Sequence, residues 1–368
     1  LLSQTLEALS IRPDGTYLDG TVGGGAAEVL TKNAGRIERR YGKKVEIKYI
    51  LDLREFPGDP LGDRVVHDFS VIENDPEISI VLEMMGGIHP ACDFSAAALR
   101  AGKSVVTSNK AVVEHCGAEL LSIAAENKVR YLYEASVGGG IPVLNPLIHC
   151  ITGQNTVTEI NGILNGTTNY ILTRMREEGL DYDKVLADAQ RLGYAEADPS
   201  ADVDGFDACR KICILAAIAS GKMIPMDKVR VRGIREITQE HIAKANEMGA
   251  RIRLVARAVL PEDGCVCLSV EPYYVRRDNP LYGVDDVFNA VSVTGDSVGE
   301  VMFYGKGAGK LPTASAVVAD VLDIVARGDS FAADENIMFT VAPEAYSDKL
   351  PEKYALSTEQ TLGTPVFA

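Results

Sequence analysis

Asp207 and Lys211 lie four positions apart, which puts a carboxylate and an amine one turn apart on a single helix face. They sit within Tyr194–Gly221, YAEADPSADVDGFDACRKICILAAIASG. Five carboxylates (Glu196, Asp198, Asp202, Asp204, Asp207) come first, then Arg210 and Lys211, then an apolar run from Ile212 to Ala219. The pattern predicts an acidic loop feeding a helix that is apolar on every side and therefore buried all round. Asp204 would cap its start and Gly221 would lie just past its end. An amine at the mouth of such a helix loses part of its water, which eases proton transfer to a substrate. The same pair on an open surface would be an ion pair worth about 0.3–0.5 kcal/mol. The stretch alone leaves both readings open.

Other chemistry-bearing groups fall where loops meet regular elements. The turn Asp19-Gly20-Thr21-Val22-Gly23-Gly24-Gly25 enters a helix predicted from about Ala26 to Arg40, and a strand, Val45–Leu51, ends at Asp52. Strand, glycine-rich turn, helix and strand closing on an acid make a dinucleotide-binding unit. Gly20, Thr21, Val22 and Gly23 would bring the backbone against a pyrophosphate at the helix N-terminus. Asp52 would hold a ribose hydroxyl, although Arg54 nearby could accept a 2′-phosphate instead. A glycine-rich turn alone is weak evidence.

The elements that must position these groups follow from periodicity. Strands are predicted at Ile78–Glu83, Ser104–Thr107 and Val129–Glu134, with helices at His89–Ala101 and Gly117–Asn127. Strands alternating with helices at this spacing predict a doubly wound parallel sheet, with ligands outside the carboxyl ends of the strands. Gly86-Gly87, Lys110 and Glu134 fall there. For Lys110 a solvated loop lysine is an equal reading. The run Glu134-Ala-Ser-Val137-Gly-Gly139-Gly-Ile141-Pro142 combines one carboxylate with glycine-freed carbonyls, which suits a hard cation or simply a domain junction.

From about Thr156 the texture changes. A strand, Val157–Leu164, meets Asn165-Gly166-Thr167-Thr168-Asn169 and a helix, Tyr170–Glu178, which Thr167 or Thr168 would cap with free N–H groups for an anion. A helix at Tyr182–Leu192 precedes the acidic stretch. Residues 229–305 read largely as β, with a helix near 238–246. A second glycine-rich turn, Gly305–Thr313, enters a helix at Ala314–Arg327, and residues 328–368 read as a loosely attached tail.

Composition narrows the function. The chain has 368 residues, enough for two domains, with 46% hydrophobic and 24% charged residues. A net charge of −15 argues against a nucleic-acid partner. No apolar run approaches the roughly 18–20 residues of a membrane span, and no signal peptide is recognisable at the N-terminus. The seven cysteines include no CxxC pair, and Cys209 and Cys213 fit reduced core positions. The compartment expected is the cytosol.

Five motifs, in order, carry a resemblance: TSNKA at 107–111, EASVGGGIP at 134–142, NGILNGTTNYIL at 161–172, YAEADPSADVDGFDACRK at 194–211 and GKGAGKLPTA at 305–314. Over roughly residues 26–330 the chain resembles homoserine dehydrogenase. The resemblance implies NAD(P)-dependent interconversion of L-aspartate 4-semialdehyde and L-homoserine, toward threonine and methionine. The implied fold is a Rossmann-type α/β domain over 1–150 and an α+β substrate and dimerisation domain over 151–305. A helix at 306–330 would return to the first domain. The resemblance implies Lys211 as the catalytic lysine and Lys110 as a lysine shared between cofactor and substrate. It places Glu196, Asp207, Asp202, Thr167 and Tyr194 around the substrate, and Gly193 and Gly309 near the cofactor. It further implies a sodium or potassium site of Glu134 with the Val137, Gly139 and Ile141 carbonyls, and a homodimer.

Two departures qualify it. Leu18 stands where the family's turn has its first glycine, and residues 1–25 resemble the start of a small-subunit rRNA cytosine methyltransferase instead. Cofactor affinity is therefore expected to be impaired, and an S-adenosylmethionine methyltransferase or an inactive homologue are the alternative readings. After Gly328 the sequence is too short for the regulatory amino-acid-binding domain that many family members carry.

Overall fold

The computed structural model describes residues 6–7, 20–328 and 338–367. Leu18, Asp19 and the stretch expected to hold the first strand lie outside them. The chain divides into two units, Leu1–Pro142 with Ala308–Met338, and Val143–Gly307 with Phe339–Ala368.

In chain order the first unit holds β1 (Leu6–Glu7), α1 (Gly20–Tyr41), β2 (Ile50–Leu51), β3 (Val65–Val66), α2 (Phe69–Glu73), β4 (Ile80–Glu83), α3 (Ala91–Arg100), β5 (Ser104–Thr107), α4 (Lys110–Glu126), β6 (Tyr131–Leu132) and α5 (Ala135–Gly138). The second unit runs through α6 (Leu144–Pro146), β7 (Val157–Ile163), α7 (Gly166–Glu178), α8 (Tyr182–Arg191), α9 (Ser200–Val203), α10 (Phe206–Ser220), β8 (Lys222–Met223), β9 (Arg230–Val231), α11 (Gln239–Glu247), β10 (Arg251–Val259), β11 (Cys267–Val275), β12 (Phe288–Gly295) and β13 (Gly299–Lys306). The chain returns to the first unit as α12 (Lys310–Arg327) and ends in the second as β14 (Thr340–Val341), α13 (Glu352–Thr361) and β15 (Gly363–Pro365).

The first sheet has the order β3-β2-β1-β4-β5-β6. β2 and β3 are parallel, as are β4, β5 and β6, the doubly wound arrangement expected from the alternation. The short β1 is antiparallel to both β2 and β4. Among the described residues only Ile50–Leu51 of the predicted 45–51 strand is paired as a strand, between β1 and β3. α1 packs on α12: Val22, Ala26, Leu30, Val317 and Val321 share one apolar core. A Cβ on Gly25 would stand 2.8 Å from the Ala314 Cβ, so this glycine admits the neighbouring helix. The glycines expected as a turn ahead of the helix thus lie in its first turns, since α1 begins at Gly20.

The second unit is built on a sheet ordered β13-β12-β7-β10-β11-β15, with β9 beside β11. β7 lies at its centre, antiparallel to β10 and β12. The buried helix α10 packs on β7, β10 and β11. The expected loose tail is corrected. β15 adds to β11, β14 pairs with β8, and Phe339 and Leu362 are buried. Those scattered apolar residues anchor the segment without giving it a helical or strand period. Cys209 and Cys213 are buried and not disulfide-bonded, as expected, whereas Cys92 and Cys116 join α3 to α4 as a disulfide.

Candidate active site

The second unit concentrates its polar chemistry where β7 ends and α10 begins. Lys211 and Asp207, each under a tenth exposed, pair at 2.8 Å. Lys211 Nζ also donates to the Leu164 carbonyl at 2.7 Å, just past the end of β7. Burial and two fixed partners rule out the solvated surface pair. The ammonium has three donors, and the described contacts commit two of them to the protein.

The helix start differs from expectation. Gly205, at φ +89°, is the residue ahead of α10, and Asp204 instead closes α9 and pairs with Arg235. A left-handed residue is needed where α9 turns into α10, and Asp204 cannot supply it at low cost. Asp204 therefore belongs to the surface. Gly221 closes the helix at φ +72°, as expected.

α7 is capped by neither threonine. Asn165 accepts from Thr168 N at 2.9 Å, and its Nδ2 donates to Asp202 Oδ1 at 2.7 Å and to Asp207 Oδ2 at 3.0 Å. Thr167 Oγ1 donates to the Tyr194 carbonyl at 2.7 Å, and the Tyr170 and Tyr194 rings lie 4.9 Å apart. Lys211, Asp207 and Asp202 are thereby joined through Asn165, and Thr167 with Tyr194 forms a separate pair at the start of the same helix. Glu196 is exposed two residues beyond Tyr194, its carbonyl held by Gln190 Nε2 at 3.0 Å. Gly193, at φ +77°, ends the turn after α8.

In the first unit the carboxyl ends of β4, β5 and β6 carry a second cluster. Glu83, fully buried, accepts from Met85 N at 2.6 Å and from Thr107 Oγ1 at 2.7 Å. Thr107 Oγ1 accepts from Asn109 N at 2.8 Å, and Asn109 Nδ2 donates to the Gly87 carbonyl at 2.7 Å. Asn109 also caps α4, fixing Lys110 as the first residue of that helix rather than a loop lysine. Asp52 is buried and both its oxygens accept from the Arg54 guanidinium, at 3.0 and 2.8 Å. The two groups read as alternatives for the ribose are thus one ion pair. Gly20, Thr21, Val22 and Gly23 form the opening turn of α1, whose first N–H groups have no intrahelical partner. Gly309, at φ +116°, precedes α12.

Glu134 is buried at the start of α5, and its N–H donates to Asp320 Oδ2 at 2.9 Å. Burial first, and then the Glu134 charge, push the Asp320 carboxyl well above its usual range. Val137 and Ile141 are buried, Gly139 has φ +56°, and the Gly138 carbonyl is taken by Ile141 N at 2.9 Å. Among the described residues no group of three or more His, Cys, Asp or Glu side chains is placed to hold a metal ion. A site of one carboxylate and carbonyls is of another kind. Glu134 and Asp320 are two buried acids crowded beside a glycine-shaped backbone. Asn165, Glu83, Thr107 and Asp320 were not singled out from the sequence. An asparagine directly after a strand and before Gly-Thr-Thr is the one signal that could have found any of them.

Comparison with known proteins agrees with this arrangement. Residues 19–134 match the family described as homoserine dehydrogenase, NAD binding domain, and residues 142–322 match homoserine dehydrogenase. The homoserine dehydrogenase of Synechocystis sp. is 45% identical over 323 residues, 86% of this chain and 73% of the relative. That of Pseudomonas aeruginosa is 41% identical over 330 residues, 89% and 76% of the two chains. The crystal structure of a homoserine dehydrogenase from Thiobacillus denitrificans superposes with a TM-score of 0.80 at 39% identity, covering 88% of this chain and 77% of that one. A hyperthermophilic archaeal homoserine dehydrogenase in complex with NADPH gives a TM-score of 0.68 at 28% identity, with 83% and 94% covered. The methyltransferase reading of residues 1–25 gains no support from these matches.

Proposed function

The chain belongs to the homoserine dehydrogenase family, NAD(P)-dependent oxidoreductases that interconvert L-aspartate 4-semialdehyde and L-homoserine, and from that premise we propose how its residues share the reaction. Reducing an aldehyde takes a hydride at carbon and a proton at oxygen. The bound nicotinamide supplies the hydride. Lys211 supplies the proton through the one donor its protein partners do not take. The observation that carries this reading is the double anchoring of Lys211 Nζ, by Asp207 at 2.8 Å and the Leu164 carbonyl at 2.7 Å. Asp207 holds the lysine and, with Asp202 and Glu196, offers carboxylates to the substrate ammonium. Thr167 and Tyr194 line the same pocket. Lys110, fixed on α4, stabilises the developing oxyanion. The purified chain should reduce aspartate semialdehyde with a nicotinamide cofactor. Loss of turnover confined to variants outside this cluster would overturn the assignment.

Gly20, Thr21, Val22 and Gly23 would receive the pyrophosphate, with Gly193 and Gly309 near the cofactor. We assign NADP(H) as the preferred form. Pairing with Arg54 neutralises Asp52, which removes the repulsion a carboxylate would exert on a 2′-phosphate, and sets a guanidinium at the end of β2. Glu134 and the Val137, Gly139 and Ile141 carbonyls would hold sodium or potassium. The chain is assigned to a homodimer through its β13 edge, where Val298, Met302 and Tyr304 are exposed next to an eight-residue strand. Sedimentation giving a single-chain mass would refute that. Its place is the cytoplasm, in threonine, methionine and isoleucine biosynthesis; activity recovered only in a membrane or extracellular fraction would refute the location. No helix among the described residues is long and apolar enough to cross a membrane.

A further inference from the structure

One amide touches two carboxylates, one of them the ion-pair partner of Lys211. Asn165 follows the last residues of β7 and is only 5% exposed. A side-chain amide has one acceptor end and two N–H donors. Here Oδ1 is committed to Thr168 N at 2.9 Å, as the cap of α7. That fixes the orientation, because the opposite one would set Nδ2 against an N–H donor. Nδ2 therefore faces the acids, at 2.7 Å from Asp202 Oδ1 and 3.0 Å from Asp207 Oδ2. The two carboxylates come from different helices, α9 and α10. Like charges brought together from separate elements repel and take up a proton unless donors hold them.

We infer that Asn165 is a positioning residue of the reaction: its amide holds Asp202 and Asp207 at the separation where one takes the substrate ammonium and the other keeps Lys211 aimed. This rests on the roles proposed above for Lys211 and Asp207. The residue before Asn165 lends its carbonyl to Lys211, so the Leu164–Asn165 pair grips the lysine and both acids. A merely structural cap would need only Oδ1.

Asn165→Asp separates the two roles. Aspartate caps a helix as well as asparagine does, but it presents an acceptor where two donors are required. Among the described contacts the charged groups facing the position are Asp202 on α9 and Asp207 and Lys211 on α10, and the neutral Asn289 of β12 lies near Gly166. Hydrogen bonds to charged groups are strong enough that the variant should lose on the order of 10- to 100-fold in kcat/KM for homoserine. Its melting temperature should fall by several degrees, because a third carboxylate is buried against two others, but the enzyme should stay folded at the assay temperature with its KM for the cofactor unchanged. The loss should shrink as pH is lowered from about 8 to about 5.5, because the introduced carboxyl regains one donor when it takes up a proton. Lys211→Ala and Asp207→Asn are measured alongside. If those two are impaired while Asn165→Asp keeps kcat/KM within about threefold, or loses it with the wild-type pH dependence, the inference about Asn165 is overturned and the site stands. If Lys211→Ala and Asp207→Asn are themselves fully active, the site reading fails and this inference with it.

Discussion

Replacing Lys211 by methionine removes the ammonium and keeps most of the unbranched side chain on α10. Two effects follow, and they can be separated. The first is catalytic: a positioned general acid contributes typically 10²–10⁴-fold, or about 2.7–5.5 kcal/mol of barrier. The second is structural. Removing one partner of a buried ion pair costs about 3–5 kcal/mol when the remaining charge is stranded. Here Asp207 is not stranded, since Asn165 Nδ2 remains 3.0 Å from it. The Leu164 carbonyl loses a donor at 2.7 Å, but it is neutral. The stability loss should therefore be smaller, about 1–3 kcal/mol. Turnover is read from nicotinamide absorbance in both directions, cofactor affinity from a fluorescence titration, and stability from thermal melting. The expected result is a fall in kcat of about 10²–10⁴-fold, with cofactor affinity nearly intact, in an enzyme still folded at the assay temperature. A kcat within about threefold of wild type would refute the reasoning and move the proton donor elsewhere, with Lys110 the next candidate.

Glu196→Ala should raise KM for homoserine about tenfold with kcat little changed, since this exposed acid is assigned to binding alone; an equal loss in kcat would count against that. Arg54→Ala should weaken NADPH by about 10-fold or more while sparing NADH, and equal weakening of both would remove the 2′-phosphate assignment. Replacing sodium and potassium completely by a bulky organic cation should lower activity, and Glu134→Gln should abolish the response to added ion. Indifference of the wild-type enzyme to the replacement would rule the cation site out.

The fold was legible where burial imposes a period. Ser104–Thr107 was read with its bounds, and α10 was found from its unbroken apolar run. Helix starts are read late at Lys110, Gly166 and Lys310: the first turn of α7 is polar or small, and the first turns of α4 and α12 hold too few apolar residues to set a period. The 45–51 strand is overextended because strand length depends on pairing, and the described pairing reaches only Ile50 and Leu51. The site shows the same division. The Asp207–Lys211 spacing is local and could be read. The Asn165 bridge joins residues 37 and 42 positions apart, and Glu134 meets Asp320 across 186 positions. Such pairs come together only through the topology. Asp204 was misplaced as a cap because an acid before a helix is the commoner solution, whereas this junction needs the left-handed Gly205.

The central claim is that the Lys211, Asp207 and Asp202 cluster is the substrate site and that Lys211 faces the reacting oxygen. A crystal structure of the chain with L-homoserine and oxidised cofactor tests it directly. The account predicts the homoserine hydroxyl within about 3.2 Å of Lys211 Nζ, with the homoserine ammonium against carboxylates drawn from Glu196, Asp202 and Asp207. Homoserine bound with its hydroxyl on Lys110 alone, beyond hydrogen-bond reach of Lys211 Nζ, would contradict it.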